Sequence, residues 1–210
     1  MKHFTMKNLN IRNISLKDYF SVENLIREAF WNVYKSGCEE HLVAHNMRNL
    51  PCYIKPLDLV AEIDGTIIGN IMYSKCYIVD GENYKEFVTF GPLGVLPKYQ
   101  SMGVGSALIE KSFEIAKTMN IKAIFITGNP SYYNRFGFVS ASKYNIHLNG
   151  VPIDDVADFF MVKLLEDNAL KKVKGICKID DCYYVNQKEL ENFDKLFPPK
   201  VKQKLDTQIM

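Results

Sequence analysis

The stretch "LGVLPKYQSMGVGSAL" (Leu93–Leu108) constrains the fold more than any other part of the chain. An apolar segment runs into Pro97, and Gly103 and Gly105 then open an amphipathic helix. Glycine inside a helix costs roughly 1 kcal/mol against alanine. Two glycines in a first turn imply that something comes close to the backbone there. First-turn N–H groups have no intrahelical acceptor, and the helix dipole adds partial positive charge at the same end. The combination is a ready anion site.

Four readings of the glycines compete. A dinucleotide-binding turn needs a third glycine where Leu108 stands, and an acidic residue after the next strand, which is missing. A phosphate loop needs Gly-Lys-Ser/Thr, and none follows. A third reading is structural: glycines that let the helix pack closely on a strand. The fourth fits best. Gln100-x-x-Gly103-x-Gly105 between a strand and a helix lacks the Cβ atoms that would keep a bulky diphosphate away. It would cradle a pyrophosphate through backbone N–H groups, without a metal or an essential lysine.

The flanking segments read as a mixed α/β chain. "LNIRNIS" is a short strand. Residues 15–34 have helical periodicity, with Leu16, Tyr19, Phe20, Leu25, Ile26, Ala29 and Phe30 on the buried stripe and Ser15 as a cap. A second helix over 38–50 ends before Pro51. Three strands follow at 57–63, 67–79 and 87–95, with Asp64-Gly65 and Asp80-Gly81 as turns of an antiparallel meander. The glycine-opened helix leads into "KAIFITG", an apolar strand suited to burial on both faces. Strand–helix–strand implies a parallel pair. "NPSYYNRFGF" is a short helical turn, and 139–148 and 158–165 are further strands. Residues 168–175 and 186–197 read as small surface helices.

"LGVLPKYQSMGVGSAL" resembles the acetyl-CoA signature of the GNAT superfamily of N-acetyltransferases, Q/R-x-x-G-x-G/A. The context strengthens the likeness: a Leu-x-Val-x-Pro strand end before it, and "GNPSYYNRFGF" after the next strand, supplying Asn129, Tyr133 and Gly137-Phe138. The upstream "VAEIDGTIIGNI" is similar to the family's second and third strands. The resemblance covers roughly Leu9–Leu165. It implies an acyl-CoA N-acyltransferase fold: a mostly antiparallel mixed sheet, splayed between strands 4 and 5 and flanked by helices. Residues 1–166 would form the acetyltransferase domain, and 167–210 an extension packed on it.

The same resemblance implies direct transfer of acetyl from acetyl-CoA to a primary amine of a small molecule. Leu93, Gly94 and Val95 would bind pantetheine through the backbone, as an added strand does. The Val95 N–H would polarise the thioester carbonyl. Gln100, Ser101, Met102, Gly103, Val104, Gly105 and Ser106 would hold the pyrophosphate. Tyr133 would protonate the departing thiolate; its alternative role is packing, and Tyr132 is its neighbour. Asn129 would bond the pantetheine arm, or else cap the turn before Pro130. Phe30, Trp31 and Tyr34 would line the acceptor cleft, with core packing the alternative.

Two departures from the pattern matter. Ser101 and Met102 stand where many members carry glycine and a basic residue. No glutamate occupies the fourth-strand position of the base: Thr89 lies near it, with Glu86 a shifted alternative, and Glu62 reads as structural. An acetylated protein N-terminus or lysine, and a silent acyl-CoA sensor, are the competing functions.

Composition removes other classes. A net charge of +2 is far from the basic bias of a nucleic-acid binder. No apolar run approaches the roughly 20 residues that span a bilayer, and the opening residues lack the apolar core of a secretory signal. The five cysteines are irregularly spaced, which fits reduced thiols and a cytoplasmic setting. His41 and His45, at i,i+4, lack a third ligand, so no metal is expected. The acceptor and a homodimer are left open.

Overall fold

The computed structural model describes residues 8–155, 157–206 and 208. In chain order the elements are β1 (Asn10–Asn13), α1 (Tyr19–Phe30), α2 (Glu40–Met47), β2 (Leu59–Ile63), β3 (Thr66–Asp80), β4 (Asn83–Val95), α3 (Val104–Thr118), β5 (Ala123–Thr127), α4 (Pro130–Tyr133), β6 (Val139–Ser140), β7 (Ile146–Leu148), β8 (Phe160–Leu164), β9 (Gly175–Ile179) and α5 (Gln187–Asp194). Hydrogen-bonded strands follow the order β1-β2-β3-β4-β5-β8-β6, and β9 pairs with β3 and β7. The chain divides into two compact units. One holds residues up to Met72, Pro92–Ser112 and the residues from Cys182 on; the other holds Tyr73–Gly91 and Phe113–Asp181. Strands β3 and β4 and helix α3 run through both.

In the first unit the expected meander is present. β1 pairs with β2, and β2 with β3, both antiparallel, with Ile11 opposite Ala61 and Leu59 opposite Ile71. Asp64 and Gly65 both take positive φ, 49° and 77°, the conformation a tight hairpin of matching twist demands. Helix α1 is preceded by a short 3-10 turn, Leu16–Asp18. The Asp18 carboxylate accepts from Ser15 N at 2.9 Å, from Ser15 Oγ at 2.6 Å and from Arg12 Nη1 at 2.7 Å. The Arg12 guanidinium holds that carboxyl well below the usual carboxylate range. Helix α1 stops at Phe30, short of the expected Tyr34. Asn32 turns left-handed, with φ 61°, and its Oδ1 accepts from Gly37 N at 2.8 Å. A side chain that satisfies the backbone locally competes with helix continuation.

The core of this unit is Val22, Leu25 and Ile26 of α1 packed on Leu42, Ala44 and Met47 of α2, with Leu190, Phe193 and Phe197 added by the C-terminal segment. α5 is capped by Asn186, whose Oδ1 accepts from Glu189 N at 3.1 Å. A buried polar cluster fastens this segment to the first two helices. Arg27, 2% exposed, donates from Nε to Asp194 Oδ1 at 2.8 Å and from Nη1 to Pro198 O at 3.1 Å. His41 Nε2 lies 3.1 Å from the same Asp194 oxygen, and its Nδ1 lies 3.5 Å from Cys38 Sγ. The neutral tautomer with Nε2–H donating to Asp194 fits both contacts. Burial pushes the Cys38 thiol up, so this thiol is inert.

The second unit has its own core, built on Phe87, Phe125, Phe160, Cys76 and Cys177. β4 and β5 are parallel, paired at Val88↔Ile124 and Thr89↔Phe125, while β4 runs on to Val95. The parallel pair is the one that the strand–helix–strand order implies. β5 is antiparallel to β8, and four of its five residues are buried. Two expectations are corrected here. The single strand over 139–148 is two strands separated by a 3-10 turn that ends at left-handed Asn145. The expected helix over 168–175 is absent: residues 168–172 form turns, because Asn168 and Lys172 take φ 62° and 70°, and Gly175 already opens β9. The segment from residue 167 onward also divides: up to Asp181 it clusters with the second unit, and from Cys182 with the first. Among the described residues no helix is long and apolar enough to cross a membrane.

Burial, ahead of the attraction of Asp194, lowers the His41 pKa from 6.5 to about 4. The unfolded chain therefore binds more protons between these values, and stability falls as pH drops from 6.5 through 4. Urea midpoints measured across that range should decline for the native chain and decline less for His41→Gln. Equal slopes would exclude His41 as the titrating group.

Candidate functional site

The glycine-rich turn lies wholly in the first unit. After β4 the Leu96 N–H donates to Ile68 O at 3.0 Å, fixing the strand end to β3. Pro97–Tyr99 make a 3-10 turn, and Gln100 is extended at φ −64°, ψ 154°. Ser101 and Gly103 take positive φ, 59° and 88°. Gly103 O then accepts from Ala107 N at 3.0 Å, the first bond of α3. Left-handed residues leading into a helix aim successive amides to one side, a concave anion-binding arrangement. Residues 100–103 are exposed. A left-handed serine costs of order 1–3 kcal/mol, and such strain gathers at ligand clamps.

The close packing of α3 has a cause the sequence reading missed. A Cβ on Gly69, in β3, would lie 2.9 Å from Val104 Cγ1 and 3.0 Å from Leu108 Cδ1. Gly69 is therefore a residue that admits the helix. Val104, expected among the cradle residues, is 1% exposed and buries its side chain on this contact. Gly94 has a matching role. A Cβ there would meet Leu25 Cδ2 at 3.3 Å and Ile26 Cγ1 at 3.4 Å, so α1 rests on the strand end. An isolated glycine inside the strand run "IIGNI", between Ile68 and Asn70, was the available signal for Gly69.

Leu93 and Val95 are half-buried. Gln100 Nε2 donates to Val95 O at 3.1 Å, tying the turn back to the strand end. Ser101 and Met102 are exposed, Met102 by 44%, and Ser106 is half-buried. Lys98 Nζ lies 5.5 Å from the Tyr99 ring centre.

Asn129 and Tyr133 belong to the second unit. Asn129 caps α4, its Oδ1 accepting from Ser131 N at 2.9 Å, while its carbonyl accepts from Tyr132 N at 3.0 Å and Tyr133 N at 3.2 Å. Gly137 ends the following turn at φ 84°. The Tyr133 ring stands edge-on to Phe90 and Phe138, each 5.9 Å away, and to Tyr132 at 4.9 Å. Glu86 Oε2 accepts from Lys75 Nζ at 2.9 Å, and Thr89 is 2% exposed. In the first unit Glu62 is bonded to Asn10 Nδ2 at 2.8 Å and Arg12 Nε at 2.9 Å, a structural role.

The aromatic residues after α1 are engaged from an unexpected side. Trp31 Nε1 donates to Val201 O at 2.9 Å, and the Arg27 guanidinium stacks 4.2 Å from its ring centre. Phe30 and Tyr34 are 6.0 Å apart and tilted, with Tyr34 exposed. His41 and His45 do not converge on a common ligand: His45 Nδ1 lies 2.9 Å from Glu23 Oε1.

Comparison with known proteins identifies the class. The model of the acetyltransferase (GNAT) family matches residues 19–138, and the chain belongs to that family. An uncharacterised N-acetyltransferase of Escherichia coli K12, YjhQ, is 33% identical over 82 residues, 39% of this chain and 45% of that protein. The chain spans less than half the length of the curated relatives it matches. Among solved structures, the E. coli GNAT family N-acetyltransferase YhbS in complex with CoA has a TM-score of 0.74 at 25% identity, covering 85% of this chain and 93% of that one. A Brucella melitensis GNAT family acetyltransferase in complex with acetyl-CoA has a TM-score of 0.67 at 23% identity, covering 83% and 97%.

Because Gly69 has no room for a side chain, Gly69→Val should destabilise the protein by about 1–3 kcal/mol, the usual cost of overpacking. A urea titration checks this, and an unchanged midpoint would show that α3 does not depend on that contact.

Proposed function

We propose that the protein moves acetyl from acetyl-CoA to a primary amine of a small molecule, by direct attack in a ternary complex. The observation that carries this reading is the turn from Gln100 to Gly103, with left-handed Ser101 and Gly103 leading into the 15-residue helix α3. The residues there fit a diphosphate. The turn is exposed, its amides sit at a helix N-terminus, and Gly103 and Gly105 carry no side chain to obstruct them. The CoA and acetyl-CoA complexes of the two similar structures support the same ligand.

When bound, acetyl-CoA supplies an activated acyl thioester. The amides of residues 101–106 would hold the pyrophosphate, with backbone N–H groups replacing the basic side chain absent at Met102. Leu93, Gly94 and Val95 would present strand backbone to the pantetheine arm, and Asn129 would add a side-chain bond to it. The Val95 N–H would donate to the acyl oxygen as negative charge develops there. The Tyr133 hydroxyl would give its proton to the departing sulfur. An amine of pKa near 10 reaches the site mostly as ammonium and must lose a proton before it attacks. Phe30 and Tyr34 would border the acceptor, while Trp31 anchors the C-terminal segment beside them.

A screen of free CoA release across amines, amino acids, polyamines, aminoglycosides and peptides tests the reading. Turnover should appear with one class of small amine. Tight acetyl-CoA binding without turnover on any acceptor would contradict it. With that acceptor, Tyr133→Phe should lower turnover by roughly 10²-fold at nearly unchanged acetyl-CoA affinity. Unchanged turnover would remove the acid role. Gly105→Val should abolish acetyl-CoA binding, by calorimetry, in a protein that still melts cooperatively. Normal binding would place the cradle elsewhere.

A further inference from the structure

The loop after β5 contains a glycine with no backbone reason to be one. Gly128 is not among the residues with positive φ, so its main-chain conformation is open to any residue. Space is what excludes a side chain. A Cβ at position 128 would lie 2.4 Å from Cε2 of Tyr133, 3.0 Å from Cδ2 and 3.5 Å from Cζ. The ring of Tyr133 therefore lies directly on the Cα of Gly128.

Neither partner is free to retreat. The Gly128 N–H donates to Phe159 O at 2.8 Å, which fixes this main chain to the segment entering β8. On the other side the ring meets Phe90, Phe138 and Tyr132 at 5.9, 5.9 and 4.9 Å between centres. The backbone of Tyr133 is set separately, by the Asn129 cap. Main chain and ring are thus placed by two neighbouring residues through two different contacts.

We infer that Gly128 is a positioning residue: its missing side chain sets where the Tyr133 ring, and with it the phenol oxygen, stands. The inference rests on the proposed acid role of Tyr133 for its effect on rate, but not for its effect on geometry. Carbon atoms in contact sit about 3.5–4 Å apart, so a methyl group at position 128 displaces the ring by roughly 1 Å. A misplacement of that size costs about 10²-fold in a positioned reaction.

A cycle of Gly128→Ala, Tyr133→Ala and the double variant tests the contact, with thermal midpoints as the readout. Gly128→Ala should lower the midpoint of the native chain and leave that of the Tyr133→Ala background unchanged. If Gly128→Ala does not fold, the double variant should still fold. The same loss in both backgrounds, or failure of the double variant alone, would overturn the inference. The kinetic arm uses CoA release from acetyl-CoA with the fastest amine of the screen, or with water if no amine turns over. Gly128→Ala should lower kcat by 10-fold or more at unchanged KM for acetyl-CoA, and should have no further effect when added to Tyr133→Phe. If Tyr133→Phe is slow and Gly128→Ala is not, the inference fails while the acid role stands. If Tyr133→Phe is as fast as the native chain, the acid role fails, and the melting cycle alone decides the contact.

Discussion

The contact on which the proposed site depends is the seat of helix α3 on β3. Gly69 leaves the space that Val104 and Leu108 fill, and a Cβ there would also come within 3.5 Å of Gly94 O. The first turn of α3 is therefore set close to the end of β4. The Ile68 carbonyl, one residue away, receives the Leu96 N–H and fixes the chain as it leaves the strand. Gly94 lets α1 lie on the same strand end. Two absent side chains thus bring a helix N-terminus and a strand end into a defined relation. Position is what would convert ordinary first-turn amides into the proposed anion site.

The same unit is held from a second direction. Asp194 of α5 accepts from Arg27 of α1 and contacts His41 of α2, so one carboxylate joins three helices. Removing either charge of a buried pair leaves the other uncompensated, which is strongly destabilising. The residues that follow α5 reach the turn beyond α1 through Val201 O, which accepts from both Trp31 Nε1 and Asn32 Nδ2. The C-terminal segment is in this way part of the surroundings of α1, the helix that borders the strand end.

The legibility of the chain follows the range of the interactions. Strands with turn dipeptides and apolar periodicity were readable, because Asp64-Gly65 and "KAIFITG" encode their structure locally. The parallel β4–β5 pair followed from connectivity. Helix ends decided by a side chain, as at Asn32, were not readable. Neither were the turns at Asn168 and Lys172, where left-handed residues broke a helical pattern. Most opaque were contacts between residues far apart in sequence. Nothing near Trp31 announces Val201, and nothing near Gly69 announces Val104. Gly128 shows the same limit at short range: four residues separate it from Tyr133, yet only the folded turn reveals that one must lack a side chain because of the other.

The central claim is that the turn opening α3 binds a pyrophosphate through backbone amides. Amide resonances followed by NMR during titration with acetyl-CoA test it most directly. Saturable binding with the largest shifts at Gly103, Val104, Gly105 and Ser106 is the expected result. Saturable binding that leaves those four amides unmoved would contradict the claim.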